Sequence, residues 1–158
     1  MAARDPNLDL VVQLQIAGAL LSARGLAALV DEGFDDLRVA DGYWFQHLVT
    51  GARPISELAA RMGITQQGAS KAIADLEARG YVAREPGVED RRARLVRLTE
   101  RGEAAVAAAR AVRKREQARL RRRVGAAELH RFERTLGSIL DAIGGPEAIA
   151  ARNVPSSA

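Results

Sequence analysis

Two stretches of the chain concentrate arginine. Residues 84–101 hold six arginines against four acids, and residues 110–123 hold eight basic residues against one glutamate, whereas the net charge of the 158-residue chain is only +4. Guanidinium groups donate paired hydrogen bonds to phosphate oxygens, so basic charge segregated in this way favours a polyanion as the partner. The alternative is a solvated surface whose arginines pair with nearby acids.

The composition argues against several other kinds of chemistry. The chain has no cysteine, which excludes disulfides and thiol catalysis within it. Its two histidines, His47 and His130, are too few for a histidine-rich zinc site. The sequence shows no glycine-rich phosphate loop, no Ser/His/Asp constellation and no His/carboxylate metal spacing. We therefore expect no enzymatic activity, no cofactor and no metal.

The elements that would position nucleic-acid contacts begin with two short helices. Ser56 can cap the first, Gly63 can end it, and Thr65 can cap the second. The second helix carries one apolar face, formed by Ala69, Ala72, Ile73 and Leu76. This spacing predicts a helix-turn-helix, although a surface helix in a helical domain can show the same pattern.

The outer face of the second helix holds small polar residues, namely Gln66, Gln67, Ser70 and Lys71. Such residues suit a major groove, where amides read adenine edges and Lys or Ser bind phosphates or bases. Downstream, residues 81–85 and 93–99 have strand propensity, and turn formers lie between them. A β-hairpin at this place is the wing of a winged helix-turn-helix. Leu95 and Val96 break strict alternation, so we expect the second strand to be covered on both faces.

Long apolar-striped helices are predicted at both ends. Near the N-terminus the stripe consists of Leu10, Leu14, Ala17, Leu21 and Ala28. Thr99 can cap a helix that runs to about Val124, and a further helix carries Leu129, Phe132, Leu136, Ile139 and Ile143 at spacings of three and four. We interpret the terminal helices as a dimerisation surface. The alternative is packing within one chain.

These parts in this order resemble the MarR family of bacterial transcriptional regulators. The most specific portion is Leu76-Glu77-x-x-Gly80-Tyr81-Val82, followed by Asp90-x-Arg92 and Leu95-Val96-x-Leu98-Thr99-x-x-Gly102. The resemblance implies a mainly α fold with a small β-hairpin wing. It also implies a homodimer that dimerises through its terminal helices, reads adjacent major grooves of a pseudo-palindromic operator and approaches the flanking minor groove with its wings.

The resemblance assigns the DNA-binding residues. Asp90 and Arg92 match the wing signature, in which an acid can hold the arginine that enters a narrow minor groove. Arg91 and Arg94 are neighbours that could take over this role, so the particular arginine stays open. The full set of expected DNA contacts is Thr65, Gln66, Gln67, Ser70, Lys71, Asp90, Arg91, Arg92 and Arg94. Glu77 is expected to serve helix stability or wing packing instead.

Many members of this family release DNA when a small aromatic or anionic compound binds between the dimer lobe and the winged lobe. The corresponding candidates are Arg24, Tyr43, Trp44 and His47, because the last three cluster within five positions. The alternative is that these aromatic residues belong to the core. Without cysteine, oxidation of a thiol cannot serve as the signal, so we expect an organic, non-covalent effector if one exists.

The expected organisation has four segments. Residues 1–34 form an N-terminal dimerisation region, residues 35–102 the winged helix-turn-helix, residues 103–145 the C-terminal dimerisation helices, and residues 146–158 a flexible tail. No signal peptide is recognisable, and the uncharged run from Leu10 to Ala23 is short of the roughly 20 residues that span a bilayer. We expect a cytoplasmic protein without a membrane partner.

The sequence therefore predicts a homodimeric, sequence-specific DNA-binding regulator, a repressor released by a small organic ligand. The alternative is an architectural or nucleoid-type DNA-binding protein without operator specificity.

Overall fold

Two threonines and one glycine mark the helix boundaries that the sequence predicts. Thr65 Oγ1 accepts a hydrogen bond from the Gly68 amide at 3.1 Å, and Thr99 Oγ1 accepts one from the Gly102 amide at 3.1 Å. Both threonines are thus N-caps. Gly63 ends the preceding helix in the left-handed region, with φ of 65°.

The computed structural model describes residues 9–86 and 94–145, which contain six helices and three short strands. They are α1 (Leu10–Val30), α2 (Val39–Leu48), β1 (Arg53–Pro54), α3 (Ile55–Met62), α4 (Gln66–Ala78), β2 (Val82–Pro86), β3 (Arg94–Leu98), α5 (Glu100–Val124) and α6 (Ala126–Ala142). The predicted fold class, mainly α with a small β-hairpin wing, is confirmed. The predicted tail, residues 146–158, lies outside the described residues.

The sheet is antiparallel with the order β1-β3-β2. Its hairpin pairs Val82 with Leu98 and continues to Pro86 opposite Arg94. The short strand β1 pairs Arg53 with Val96, so β3 lies in the middle of the sheet. Val96 and Leu98 are buried on one face of β3, whereas on the other face Leu95 is half-buried and Arg97 is exposed, so the expected cover of both faces is only partial.

The structure adds one strand that the sequence did not predict and corrects one helix cap. Arg53 and Pro54 form β1 of the sheet. The N-cap of α3 is Pro54 instead of Ser56, which lies inside the first turn. Both differences have one cause, because pairing of Arg53 and Pro54 with β3 fixes where the extended chain stops and the helix starts.

The core belongs to the winged lobe. Its fully buried side chains include Leu58, Ala69, Ile73, Tyr81 and Val96 from α3, α4 and the sheet. The helix α2 adds Trp44, Phe45 and Leu48 to the same cluster. The inner face of α4 is the predicted one.

The terminal helices bury little within one chain. Leu29 is the one buried side chain in α1, and α6 has none among the described residues. Leu20 is 59% exposed and Phe132 is 49% exposed. Arg24 of α1 pairs with Glu116 of α5 at 2.8 Å, which holds these two helices together.

By length and composition, α1 is the one helix in the described part of the chain that could cross a membrane. The helix continues past Arg24 to a length of 21 residues, so the shortness of the uncharged run does not by itself exclude a span. A test by length and composition also selects apolar helices that pack against other parts of a protein.

Candidate nucleic-acid interface

The helix-turn-helix is formed by α3 and α4. After Gly63, the Ile64 amide donates a hydrogen bond to the Ala59 carbonyl at 3.1 Å, which closes the end of α3. Thr65 then starts α4, and Ala69, Ile73 and Leu76 are buried. The orientation of α4 is therefore fixed by its core face.

The opposite face of α4 is open to solvent at the predicted positions. Gln66, Gln67 and Lys71 are exposed, and Thr65 is exposed as the cap. Ser70 is half-buried, and its carbonyl accepts a hydrogen bond from Nη2 of Arg84 at 3.3 Å. The structure thus brings these five predicted residues together along one helix, and their contact with DNA remains a prediction.

Arg84 of β2 joins the wing to α4. Its guanidinium lies 3.5 Å from the Glu77 carboxylate, and its backbone amide donates to the same carboxylate at 3.2 Å. Glu77 therefore lies at the contact between α4 and the wing. Sequence reasoning missed Arg84, whose only signal was a basic residue within a predicted strand, seven positions after Glu77.

The tip of the wing, residues 87–93, lies outside the described residues. The predicted roles of Asp90, Arg91 and Arg92 fall on this segment and remain predictions. Arg94 is exposed at the start of β3, opposite Pro86.

Two other arginines of the basic stretch pair within the chain. Arg97 donates a hydrogen bond to Glu85 at 2.8 Å across the hairpin. The Arg101 guanidinium lies 4.8 Å from the centre of the Tyr81 ring and 3.3 Å from Asp36. Their positions favour a structural role for these two side chains.

A set of charged residues that we name the α2–α4 clamp consists of Arg38, Asp41, Asp75 and Arg79. Arg79 donates to Asp41 at 2.8 Å and to Asp75 at 2.7 Å. Arg38 donates to Asp75 from its guanidinium at 3.2 Å and to Asp41 from its amide at 2.9 Å. The hydrogen bonds to Asp41 and then Asp75 raise the pKa of Arg79, although burial opposes this, so the Arg79 guanidinium stays charged.

A neighbouring contact involves Asp36, Tyr81 and Arg101. The fully buried Tyr81 donates its hydroxyl proton to Asp36, and this hydrogen bond, aided by Arg101 and Arg79, lowers the pKa of Asp36 against the effect of burial. Burial and the same hydrogen bond raise the pKa of Tyr81. The acidic segment before α2 is thus partly neutralised within the chain.

The basic stretch in α5 is partly neutralised as well. Arg115 donates to Glu32 at 2.7 Å, and Arg119 lies 3.9 Å from Glu116. Three exposed arginines, Arg121, Arg122 and Arg123, occupy the last turn of α5, where positive charge suits the helix dipole. Two of the eight basic residues in residues 110–123, Arg115 and Arg119, are thus accounted for by contacts within the chain.

A cleft of about 600 Å³ lies between α1, α2, α5 and α6. Apolar residues such as Leu29, Phe45 and Val112 line it, together with the charged Arg38, Arg113, Glu116 and Glu133. None of the four predicted ligand residues, Arg24, Tyr43, Trp44 and His47, is among its lining residues.

The four predicted ligand residues do not form one group. Arg24 pairs with Glu116 at the rim of the lobe. Trp44 and His47 are buried, and the His47 carbonyl accepts a hydrogen bond from Arg53 at 2.7 Å. Tyr43 is half-buried. Their role in ligand binding remains a prediction.

Comparison with known proteins supports the same fold. A sequence model described as MarR family matches residues 47–93, from the end of α2 to the wing tip. No curated protein matches the chain. RV1404 from Mycobacterium tuberculosis is 23% identical, with a TM-score of 0.72 over 90% of this chain and 98% of that one.

Two further solved structures are similar over most of their length. The reduced form of MarR from E. coli is 18% identical, with a TM-score of 0.69 over 86% of this chain and 99% of that one. The transcriptional repressor CouR, bound to a 23-mer DNA duplex, is 24% identical, with a TM-score of 0.63 over 83% and 92%. The winged segment of this chain therefore matches the MarR family model, and the chain as a whole shares the fold of these structures.

Proposed function

We propose that this chain is a homodimeric, sequence-specific DNA-binding transcriptional regulator that represses genes next to a pseudo-palindromic operator. The observation that carries the proposal is the orientation of α4. Its apolar face is fixed in the core, whereas Gln66, Gln67 and Lys71 are exposed on the other side. Exposed amides and one lysine on the N-terminal half of such a helix suit major-groove recognition.

The wing supports the same function. Arg84 ties β2 to α4, so a hairpin that reaches from this base extends beside the recognition helix. Positive charge near its tip, including the exposed Arg94, fits the strong negative potential of a narrow minor groove. Among the similar structures, CouR is described as a transcriptional repressor bound to a DNA duplex, which favours repression.

The exposed apolar side chains of α1 and α6 support a homodimer. A helix such as α6, with no buried residue within one chain, is stable only if another surface covers its apolar face. A second copy supplies that surface by symmetry, and two recognition helices then meet two half-sites. Burial of the apolar face of α1 against protein also agrees with a cytoplasmic location, because α1 already contacts α5 through the ion pair of Arg24 and Glu116.

We further propose that a small organic compound releases the DNA. The cleft offers about 600 Å³ of largely apolar space between the terminal helices and α2, enough for a drug-sized molecule. Titration of the fluorescence of Trp44 with aromatic acids tests binding, because Trp44 adjoins Phe45 of the cleft wall.

The proposed function is tested by selecting fragments of the source genome that bind the protein, followed by measurement of the affinity at several salt concentrations. A specific regulator should prefer its selected site over unrelated DNA by a factor of ~10³ or more. Equal affinity for both would instead indicate the architectural alternative.

Lys71→Ala tests the orientation of α4. If Lys71 neutralises one phosphate, the slope of log K against log salt should flatten by about one unit. Lys114→Ala is the matched control, because Lys114 is also an exposed lysine on a helix but lies on α5. An unchanged slope for Lys71→Ala would remove this residue from the interface.

A further inference from the structure

The first turn of α2 lies between the cleft and the recognition helix. Arg38, Val39 and Gly42 line the cleft. Arg38 also donates a hydrogen bond from its guanidinium to Asp75 of α4 at 3.2 Å. One side chain therefore reaches both the candidate effector space and the helix that we propose to read DNA.

The α2–α4 clamp extends this contact. Arg79 binds Asp75 at 2.7 Å and Asp41 at 2.8 Å, and the Arg38 amide binds Asp41 at 2.9 Å. Asp75 is thus shared by two arginines, one of which borders the cleft. If the Arg38 guanidinium binds another group, Asp75 loses one of its two arginine partners, and the balance of charge on α4 changes.

The clamp has one strong and one weak member. Arg79 and Asp41 are almost buried, whereas the Arg38 side chain is 62% exposed and that of Asp75 is 43% exposed. Exposed pairs contribute little free energy and exchange partners readily. Arg38 is therefore the member of the clamp that a competing anion can capture.

The cleft favours such a competitor. Its walls are largely apolar, and of its two lining acids, Glu116 is already paired with Arg24 at 2.8 Å and Glu133 accepts a hydrogen bond from Gln117 at 3.4 Å. Arg38 and Arg113 are the cations among its described lining residues. A carboxylate on an apolar body would bury the body in the cleft and direct its charge to an arginine.

We propose that Arg38 couples the cleft to α4. A carboxylate held in the cleft competes with Asp75 for the Arg38 guanidinium, and loss of this pair loosens the clamp that positions α4. Only the expected effect on DNA binding rests on the proposed function. The loosening of α4 is measurable without DNA.

Gly42 offers a test that needs no ligand. It lies four residues after Arg38 on the same helix, lines the cleft, and has no atom within 4 Å of an added Cβ. Gly42→Glu places a carboxylate beside Arg38, and Gly42→Gln is the control of equal size without the charge.

We expect amide hydrogen exchange in α4 to be about two- to fivefold faster in Gly42→Glu than in Gly42→Gln. Arg38→Gln, introduced into both variants, should abolish this difference. Equal exchange in the two Gly42 variants would overturn the coupling. So would a difference that persists without Arg38, because the charge would then act through another group.

Operator affinity is the second readout. Gly42→Glu should bind the selected site about two- to fivefold more weakly than Gly42→Gln, with an unchanged salt slope, since Arg38 is a positioning residue and contacts no phosphate. If the wild-type protein binds no site, the proposed function fails, whereas the exchange experiment still decides the coupling.

A double-mutant cycle covers the case in which the Gly42 variants do not fold. Arg38→Gln and Asp75→Asn should each speed exchange in α4, and together they should have no more effect than the larger single change. Effects that multiply would overturn the proposal. Arg115→Gln is the matched control, because its pair with Glu32 at 2.7 Å is similarly exposed but lies away from α4 and the cleft.

Discussion

Replacement of Gly102 by alanine should destabilise the protein, against the usual preference of helices for alanine. Gly102 is the third residue of α5 after its cap, Thr99. A Cβ at this position would lie 2.1 Å from the Tyr81 carbonyl oxygen and 3.0 Å from Cδ2 of Leu98. Backbone must therefore move, because no rotamer change relieves a contact with a carbonyl oxygen.

The magnitude follows from what that movement disrupts. The Tyr81 carbonyl accepts a hydrogen bond from the Thr99 amide at 3.0 Å, so a shift weakens the joint between the hairpin and α5. A lost hydrogen bond costs about 1 kcal/mol, and strain from overpacking adds about 1–3 kcal/mol. The higher helix propensity of alanine offsets about 0.5–1 kcal/mol of this loss in the free energy of unfolding. We expect a net loss of about 1–3.5 kcal/mol.

Gly68→Ala is the matched control. Gly68 is the third residue after Thr65, the cap of α4, and an added Cβ would approach no atom closer than Thr65 Oγ1 at 3.3 Å. We expect its free energy of unfolding to change by less than about 1 kcal/mol.

Thermal melts at one fixed protein concentration provide the assay, because association with a second copy affects Tm. Gly102→Ala should lower Tm by about 2–14 °C, given about 2–4 °C per kcal/mol for a chain of this size. A Tm equal to that of Gly68→Ala or of the wild type would refute the reasoning about the Tyr81 carbonyl.

Three further predictions concern other parts of the molecule. The hydrogen bond from Tyr81 lowers the pKa of Asp36, so ionised Asp36 stabilises the fold above about pH 4. This stabilisation is lost as the pH falls through the lower pKa of the folded state. Asp36→Asn should therefore flatten the decline in the free energy of unfolding at acidic pH, measured by denaturant titrations. Leu20→Glu should convert the dimer into a monomer in sedimentation experiments, and a persisting dimer would remove Leu20 from the interface. Arg92→Ala should weaken operator binding by roughly 1–3 kcal/mol while the dimer persists, whereas unchanged affinity would exclude Arg92 from the minor groove.

The sequence predicts most of the winged lobe because its elements carry local signals. Thr65 and Thr99 cap the helices that they were expected to cap, and the apolar spacing in α4 gives its buried face. The pairing of β1 with β3 was missed because a two-residue strand has no periodicity and depends on a partner about 40 positions away. Short strands of this kind become visible only in three dimensions.

The charged residues were the hardest to interpret from sequence. Basic charge concentrated in two stretches favoured a polyanion as the partner, yet Arg84 and Arg101 of the first stretch each bind acids or carbonyl groups within the chain, as the alternative expected. Ion pairs between residues far apart in sequence leave no local pattern, so the α2–α4 clamp could not be predicted. By contrast, the motif Thr99-x-x-Gly102 is visible in the sequence, but the reason for its glycine is visible only in the structure. That reason is the close approach of the Tyr81 carbonyl to Gly102.

The contact of Arg84 with α4 also limits how the protein can adapt to DNA. Because Arg84 binds both Glu77 and the Ser70 carbonyl, we expect the base of the hairpin and α4 to move together. In the proposed complex, the distance between a major-groove contact on α4 and the start of the wing is then constant within a protomer. In the proposed homodimer, adjustment to operators of different length or curvature would come from the angle between two protomers, so we expect variation in half-site spacing to be tolerated less well the more rigidly the terminal helices pack.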